Sequence, residues 1–554
     1  MSHSESPPVS SPPRDNDISL PDAPPLTGEE EGGSQSTPTN EQTNGTSTGS
    51  NINLDNLFDA DSSDEEALNS SAAFATSSPP ESSSSQNPPS SSLPTATAPL
   101  PGTTSAGGGA GAKYTDPQIM SQFYTRLFPF RTLFHWLNHS PKPSPSFSNR
   151  EFAFTLSNDA YLRYQSYPTA DLLRKDILRL IPSRFEIGPV YTANPRDRKT
   201  LRKSTAFRPL AKEVVFDIDL TDYDDIRTCC DKANICLKCW SFVTMSIKVV
   251  DAALREDFGF EHIMWVYSGR RGAHAWISDK VAREMDDEMR KALAGYLEVI
   301  KGGAQGGKRV NVKRPLHPHL VRSLALLRPY FQTVILEDQD PFESEKGAER
   351  LLSLLPDPAL VAALRKKWDA APGRSSNRKW ADIDALAATG VSKTLDTKKL
   401  QEAKQDILLE YTYPRLDVEV SKKRIHLLKS PFVVHPGTGR VCVPITGNAS
   451  TNPKEVESFD PLSVPTVTEL LAQVDAYKSA TSGADGDIMD GFVADGLSKV
   501  RKLLDWEKTD LKGYVERFDA FVKEVLRAEA RGKREREEDG EGVHGVNGPD
   551  GMEF

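Results

Sequence analysis

The sequence has 554 residues and a formal net charge of −10 at neutral pH, a length that suits two or three domains. It contains no run of eighteen apolar residues and does not open with a basic region followed by an apolar one, so we predict neither a membrane span nor a secretory signal peptide. The charge is uneven: residues 1–112 carry −14, residues 113–529 carry +7 and residues 530–554 carry −3. The part that can fold is therefore mildly basic, which is typical of proteins that bind nucleotides or nucleic acids.

The two ends of the chain lack the material for a hydrophobic core. Residues 1–112 are rich in Ser, Pro, Thr, Gly and acidic residues, and their only aromatic side chains are Phe58 and Phe74. Burial of so few apolar groups cannot offset the conformational entropy lost on folding, so we predict a disordered acidic leader. Residues 530–554 are predicted to form a disordered charged tail. The folded part should begin near Tyr114, because dense apolar residues follow it at helical spacing.

Helical and strand-like patterns between these ends predict an α+β fold. The predicted helices are 120–128, 133–137, 240–258, 281–300, 319–336, 349–367, 466–480 and 495–529. The predicted strands are 151–156, 213–220, 263–268, a short strand that follows residue 272, 413–420, and two strands within 426–444. The cluster of helices favours a helical insertion subdomain over 301–410, which divides the remaining core into a first part, 113–300, and a second part, 411–529.

The motif Asp217-Ile-Asp219 lies at the end of the predicted strand 213–220. Apolar residues alternate with the two aspartates, so both carboxylates should leave the same face of the strand. At about 5 Å and an effective dielectric near 20, the two carboxylates repel each other by roughly 3 kcal/mol. A cation bound between them makes the electrostatic energy of the arrangement favourable. Divalent ions such as Mg²⁺ prefer oxygen ligands, and paired ions serve in phosphoryl and nucleotidyl transfer. The alternative is a solvated acidic turn formed with Asp222, Asp224 and Asp225.

A glycine-bounded turn is predicted where strand 263–268 gives way to the next strand. It combines a hydroxyl, two guanidinium groups and an imidazole with two glycines: Ser268, Gly269, Arg270, Arg271, Gly272 and His274. The glycines permit a tight turn, so the polar groups should converge at one end of a hairpin. The planar fork of arginine suits phosphate oxygens, which favours a phosphate site. The alternative is a solvated basic turn.

Three further polar groups lie in the second half of the chain. Asp417, in the predicted strand 413–420, supplies a third carboxylate. Lys429 and His435 are further donors to phosphate, although a single histidine in a strand is more often structural.

Four of the five cysteines are close together in the sequence: Cys229, Cys230, Cys236 and Cys239. Such clustering favours metal binding over disulfides in a chain without an export signal. Four thiolates usually form a closed tetrahedral zinc site. An iron–sulfur cluster and reduced core thiols are the alternatives, since the adjacent pair of cysteines is less regular than two paired Cys-x2-Cys motifs.

The motifs occur in a characteristic order: Asp217-Ile-Asp219, the turn from Ser268 to His274, Pro414-Arg-Leu-Asp417, and His426-Leu-Leu-Lys-Ser-Pro-Phe432 followed by His435 and Gly439-Arg440. In this order they resemble the family of catalytic small subunits of eukaryotic DNA primases. The similarity spans about Gln122 to Leu526 and includes the four-cysteine group.

This resemblance implies a primase-type catalytic core, in which a mixed β-sheet cleft flanked by helices binds two Mg²⁺ or Mn²⁺ ions. It implies that Asp217, Asp219 and Asp417 are the ligands of those ions, and that residues 229–239 form a small structural Zn²⁺ element. The contacts to the incoming nucleotide implied by the resemblance are Ser268, Gly269, Arg270, Arg271, Gly272, His274, His426, Lys429 and His435. Glu151, as a catalytic residue, and Arg163, as a nucleotide contact, match family positions beside the active site.

The implied function is synthesis of short RNA primers on single-stranded DNA from ribonucleoside triphosphates. The implied partners are a primase large subunit, and DNA polymerase alpha with its accessory subunit, in the nucleus. Two alternatives stay open on the sequence alone. One is a related template-dependent repair polymerase, and the other is a catalytically inert nucleic-acid-binding scaffold subunit.

Overall fold

Two antiparallel β-sheets flanked by helices form the frame of the protein in a computed structural model, which describes residues 114–300, 309–310, 312–446, 453–483 and 503–541. The strands are β1 Arg150–Thr155, β2 Tyr161–Gln165, β3 Arg184–Tyr191, β4 Pro209–Ala211, β5 Val214–Asp219, β6 Ile263–Tyr267, β7 Gly272–Ile277 and β8 Leu428–Lys429. The first sheet has the order β2-β1-β3-β4, with β8 also paired to β3, and the second has the order β5-β7-β6.

Helices precede, connect and follow these strands. Their bounds are α1 Pro117–Arg126, α2 Phe130–Asn138, α3 Pro145–Ser148, α4 Ala170–Leu180, α5 Leu237–Glu256, α6 Lys280–Glu284, α7 Asp287–Leu297, α8 Pro318–Tyr330, α9 Glu345–Ser353, α10 Pro358–Asp369, α11 Ser376–Ala388, α12 Thr397–Thr412, α13 Val418–Lys422, α14 Pro453–Ser458, α15 Val467–Gly483 and α16 Lys512–Glu541. A π-helical segment, Phe331–Gln339, continues α8, and 3₁₀ turns occur at Pro195–Thr200, Ser204–Ala206, Leu220–Tyr223 and Asp505–Lys508.

Buried apolar side chains of both sheets and of the flanking helices form one continuous core among the described residues. Val214, Phe216 and Ile218 lie on one face of β5 and are fully buried. On the opposite face Val215 is also buried, and only Asp217 and Asp219 are partly exposed. Helix α5 is apolar around most of its circumference and is correspondingly buried. It ends just before Gly259, which has a positive φ of 70°, the left-handed conformation that glycine adopts at the end of a helix.

Most of the predicted elements are confirmed. Strands 151–156, 213–220 and 263–268, the hairpin that follows, and helix 240–258 are present to within a few residues. The predicted helix 281–300 is divided into α6 and α7, and the last helix begins at Lys512 and continues to Glu541, past residue 529. The division into subdomains stays a prediction, and the leader 1–112 lies outside the described residues.

Two predictions about strands are wrong. The described strand pairs are all antiparallel, so the sheets are not mixed. The predicted strand 413–420 is absent, because Asp417 caps the N-terminus of α13 and its side chain accepts a 3.0 Å hydrogen bond from the Glu419 N–H. Three alternating apolar residues are too few to distinguish a strand from one helical turn, and an aspartate N-cap favours the turn. Ser421 of that turn donates a 2.6 Å hydrogen bond to the Val215 carbonyl and fixes α13 against β5.

A buried ion network lies at the start of β5. Arg150 donates two hydrogen bonds to the Glu213 carboxylate, at 2.7 and 3.0 Å, and His139 Nε2 lies 3.1 Å from the same group. All three side chains are almost completely buried. Burial alone would raise the pKa of Glu213, but the charge of Arg150 and the contacts with His139 outweigh it, so the pKa lies well below its usual range. The carboxylate therefore stays ionised inside the protein because it is paired and hydrogen-bonded.

We predict that Glu213→Gln lowers the free energy of unfolding by about 3–5 kcal/mol, because it leaves the buried Arg150 guanidinium without a compensating charge. Urea denaturation followed by circular dichroism measures this change. The matched control is Glu349→Gln, which breaks the exposed pair with Arg365 and should change stability little. Equal effects of the two substitutions would contradict a special role for the buried network.

Candidate active site

Asp217 and Asp219 lie on the same face of β5, at the edge of the second sheet. In the β5–β7 pairing Asp217 is opposite His274 and Asp219 is opposite Gly272. Their side chains are 27% and 35% exposed, so both carboxylates are accessible to a ligand. The backbone N–H of Asp417 donates to the Asp217 carbonyl at 3.3 Å. The backbone of Asp417 therefore lies beside that of Asp217, although the two residues are 200 apart in the sequence.

Local donors hold Asp219 in its ionised form. Its Oδ1 accepts hydrogen bonds from Arg271 Nε at 2.7 Å and from the backbone and hydroxyl of Thr221, both at 2.8 Å. Burial opposes ionisation, but these hydrogen bonds outweigh it and lower the pKa of Asp219. Thr221 fixes the orientation of the carboxylate, and Arg271 supplies the opposite charge.

Asp222 is a further carboxylate at this edge. Although part of the residue is exposed, withdrawal of its carboxyl group from water, and then repulsion by Asp219 and Asp417, raise the pKa of Asp222 to about 6. Asp222, Asp219 and Asp417 therefore lie close enough for their carboxylates to repel one another, and nearby arginines oppose that repulsion only in part. Such a group of carboxylates is what a divalent cation would stabilise.

The turn between β6 and β7 depends on its two glycines. Gly269 has φ +86°, and a Cβ at this position would lie 2.6 Å from His435 Cβ. A Cβ on Gly272 would lie 2.2 Å from the Ile218 carbonyl oxygen, so β7 approaches β5 closely only because this residue has no side chain. The Ser268 hydroxyl accepts a 3.0 Å hydrogen bond from the Gly272 N–H, which closes the turn.

Cationic groups converge on the two histidines of the site. The pKa of His435 is lowered to about 3, first by burial and then by the surrounding positive charges of Lys429, Arg270, Arg184 and Arg271. Burial and Lys429 likewise lower the pKa of His274 to about 3. Both imidazoles are therefore neutral at physiological pH. Thr438 donates a 2.6 Å hydrogen bond to the Gly269 carbonyl, which joins the turn that contains His435 to the β6–β7 turn.

Glu151 and Arg163 form a pair on the first sheet. Arg163 Nε donates to Glu151 Oε1 at 3.0 Å, and the buried Glu151 also accepts from Tyr164 N–H at 3.1 Å and from the Tyr191 hydroxyl at 2.9 Å. The pair is thus on β1 and β2, whereas the aspartates are on β5. The His426 ring contributes to lowering the pKa of Glu419, and the His426 carbonyl accepts a hydrogen bond from Lys212.

The four cysteines form a compact cluster before and at the start of α5. All four Sγ atoms lie within 4.8 Å of one another. The Cys236 sulfur is 3.6 Å from that of Cys229 and 3.9 Å from that of Cys239. Tetrahedral zinc with Zn–S bonds of about 2.3 Å requires sulfur separations of about 3.8 Å. The cluster fits that geometry.

Hydrogen-bond donors surround these sulfurs. The Cys236 N–H lies 3.2 Å from Cys239 Sγ, Arg227 Nη1 lies 3.9 Å from the same sulfur, and Gln339 Nε2 lies 3.3 Å from Cys229 Sγ. Such donors stabilise thiolates and orient them, as outer contacts do around metal sites.

Comparison with known proteins identifies the family. Residues 216–446 match the family model for the DNA primase small subunit. The chain is 56% identical to the DNA primase small subunit of Schizosaccharomyces pombe over 68% of this chain and 82% of that protein. It is 42% identical to the Saccharomyces cerevisiae small subunit over 76% of this chain and 95% of that protein, and 36% identical to the Drosophila melanogaster small subunit over 75% and 93%.

The chain belongs to the DNA primase small subunit family. This family is the nucleotidyltransferase that synthesises RNA primers in DNA replication, so the primase reading is confirmed, and neither a repair polymerase nor an inert scaffold is favoured. Among the described residues, no helix has the length and apolar character needed to cross a membrane.

Sequence reasoning missed two members of this primase site. The sequence indicates Asp222 only within the alternative of a solvated acidic turn, yet its carboxyl lies close enough to Asp219 and Asp417 to be repelled by them. Arg184 was not singled out, although it is among the charges around His435. The proximity of Asp222 to the Asp217-Ile-Asp219 motif was a usable signal. Arg184 carried none, because an arginine at the start of a strand is common.

We predict that Gly272→Ala impairs both folding and primer synthesis, because the added methyl group would force β7 away from the Ile218 carbonyl. Overpacking of this kind costs about 1–3 kcal/mol. Gly295→Ala is the matched control: Gly295 is exposed on α7 with nothing within 4 Å of a Cβ, and alanine favours a helix by about 1 kcal/mol. Thermal unfolding should show lower stability for Gly272→Ala and higher stability for Gly295→Ala. Primer extension should be lost in Gly272→Ala and retained in Gly295→Ala.

Proposed function

We propose that this chain makes RNA primers on a single-stranded DNA template by two-metal-ion nucleotidyl transfer, with Asp217, Asp219 and Asp417 as the ligands of Mg²⁺ or Mn²⁺. The observation that carries this proposal is the juxtaposition of two opposite charge clusters. Carboxylates crowd the end of β5, and cationic side chains surround His435 beside it. An anionic triphosphate that brings divalent cations satisfies both clusters at once.

The carboxylate cluster fits divalent ions by its chemistry. Its donors are carboxylate oxygens, which Mg²⁺ and Mn²⁺ prefer, and repulsion of Asp222 by Asp219 and Asp417 supports a place for positive charge among them. Bound there, the ions would lower the pKa of the ribose 3′-hydroxyl and offset the charge of the phosphates. In the free protein, the Arg271 guanidinium provides the positive charge beside the Asp219 carboxylate.

The chain's own side chains position the substrate. Arg270, Arg271 and Lys429 provide fixed positive charge for the triphosphate, with the guanidinium forks suited to two oxygens at once. His274 and His435 are neutral, so each offers a single N–H donor without adding charge. Ser268 and the two turn glycines let the backbone approach the phosphates closely. Orientation and charge stabilisation account for catalysis, and no protein nucleophile is needed.

We assign the cysteine cluster to one structural Zn²⁺ ion. The sulfur separations and the closed set of four thiolates support zinc over an open, catalytic site. Gln339, the last residue of the π-helical segment, contacts Thr228 and Cys229 of the cysteine loop. A zinc ion in that loop would therefore hold it against the π-helical segment.

The relatives are named as small subunits, which supports a primase large subunit as the partner. DNA polymerase alpha with its accessory subunit, and action in the nucleus, complete the proposal. Glu151 and Arg163 are proposed to act beside the active site, where their mutual ion pair would position the nucleotide rather than bind metal.

We predict that Asp219→Asn reduces ribonucleotide incorporation by about 100-fold or more on primed and unprimed templates, because it removes a charged ligand where transition-state charge develops. The control, Asp384→Asn, alters an exposed carboxylate paired with Lys404 and should retain full activity. Folding of both variants is checked by thermal unfolding. Persistent activity of Asp219→Asn in Mg²⁺ would rule out the assigned ligand.

We predict about one zinc ion per chain, and loss of that ion together with lower thermal stability in Cys236→Ser, because metal-binding energy contributes to folding. Elemental analysis of purified protein measures the zinc content. Cys442→Ser is the control, since Cys442 is buried outside the cluster. Stoichiometric iron, or zinc retained in Cys236→Ser, would contradict the assignment.

A further inference from the structure

A strongly basic surface segment lies on the first sheet, outside the site described above. We call residues 195–208 the basic segment. Six of its fourteen residues are cationic and one is acidic: Arg196, Arg198, Lys199, Arg202, Lys203, Arg208 and Asp197. Except for the half-buried Arg198, these charged residues are exposed. The like charges repel one another in the free protein, so their concentration is favourable only when something anionic neutralises them.

Aromatic contacts hold the basic segment in a fixed position. The Arg198 guanidinium lies 3.7 Å from the centre of the Tyr164 ring, and Phe207 stacks on Tyr191 with ring centres 4.1 Å apart and an interplanar angle of 9°. Thr192 N–H donates to the Arg208 carbonyl at 3.1 Å. The segment is thus attached to β2 and β3 at both ends, and its cations are displayed on a defined surface.

A groove with further positive charge adjoins the basic segment. Lys175 and Arg179 of α4 line it together with Arg196, which lies 4.6 Å from the centre of the Tyr167 ring. Asp176 is the acidic residue of the groove, and it pairs with both Arg179 and Arg196. The groove therefore has net positive charge, with its arginines held in place by one carboxylate.

The same β-sheet connects this surface to the active site. Tyr164, which contacts Arg198, also donates its N–H to Glu151, and Arg163 beside it pairs with that carboxylate. In the same sheet, Lys429 of β8 is opposite Glu186 of β3. Glu151 and Lys429, which the proposed function assigns to the nucleotide site, are therefore on the sheet to which the basic segment is attached.

We propose that the basic segment and the α4 groove bind the sugar–phosphate backbone of the nucleic-acid strand engaged in the active site. The inference rests on the proposed function, since it deepens the template interaction of that site. Four of the six cations in the segment are arginines, whose forks suit phosphate oxygens, and backbone contacts of this kind hold any sequence equally.

The experiment compares the full chain with the double variant Arg202→Glu/Lys203→Glu. Fluorescence anisotropy gives the Kd for single-stranded DNA and for an RNA–DNA primer–template between about 50 and 200 mM salt. Loss of two phosphate contacts should weaken binding about tenfold at low salt. It should also reduce the slope of log K against log salt by about 1.4 for a single strand and about 1.8 for a duplex. The nucleic acid whose Kd and salt slope change, single-stranded DNA or the primer–template, is the one that occupies the surface.

The matched control is Lys366→Glu/Lys398→Glu, which makes the same charge change at exposed positions on α10 and α12 and should leave Kd and the salt slope as in the wild type. In primer extension, the KM for template should rise about tenfold in the test variant, whereas the KM for ribonucleoside triphosphate should not. If the wild type incorporated no ribonucleotide at saturating template, the proposed function would fail, independently of this surface.

Two results would overturn the proposal. One is an unchanged Kd and salt slope for both nucleic acids. The other is unchanged nucleic-acid binding with weakened binding of the purified large subunit, which would assign the surface to a protein partner. Thermal unfolding checks the fold, and Arg202→Gln/Lys203→Gln, which removes charge without reversing it, should produce the same changes in smaller measure. A loss of binding only in a variant that melts early would also count against the surface.

Discussion

The meeting of opposite charges where β5 pairs with the start of β7 is the constraint on which this structure depends. Two aspartates on one face of a strand repel each other, and the described protein reduces that repulsion with Arg271 at 2.7 Å from Asp219. This pairing requires β7 to lie very close to β5, which Gly272 alone permits. Chemistry and packing are therefore coupled at one residue: the glycine that lets the strands approach also places the arginine on the carboxylate.

A rigid base supports this edge. The Arg150–Glu213–His139 network lies at the start of the strand that ends in the aspartates. The adjacent Lys212 is fully buried and donates to the His426 carbonyl, and burial lowers its pKa to about 7. Arg290 donates to the Lys212 carbonyl. These contacts tie β5 to the segment that leads into Lys429, so the acidic and cationic halves of the site keep their relative positions.

The cysteine cluster gives a second fixed point. Thr228 N–H donates to the Gln339 side chain at 2.8 Å, and Gln339 in turn contacts Cys229. Arg227 donates to the Asn234 carbonyl at 2.9 Å within the same loop. The loop between the acidic turn and α5 is thus held from both sides, and a zinc ion bound to the four cysteines, as proposed, would fix it further.

The sequence by itself determined the elements that local spacing controls. Alternation along β5 set the common face of Asp217 and Asp219, two glycines marked the β6–β7 turn, and four cysteines close in sequence marked the sulfur cluster, because each pattern depends on neighbours within a few residues. Only the tertiary structure decided that Asp417 caps a helix and still reaches Asp217. It also decided that Asp222 and Arg184 join the site and that Glu151 pairs with Arg163 on the other sheet. The physical reason is that periodicity reports which face of an element is buried, whereas contacts between distant segments are fixed by how whole elements pack, and a charge acquires its role only from the groups that packing brings beside it.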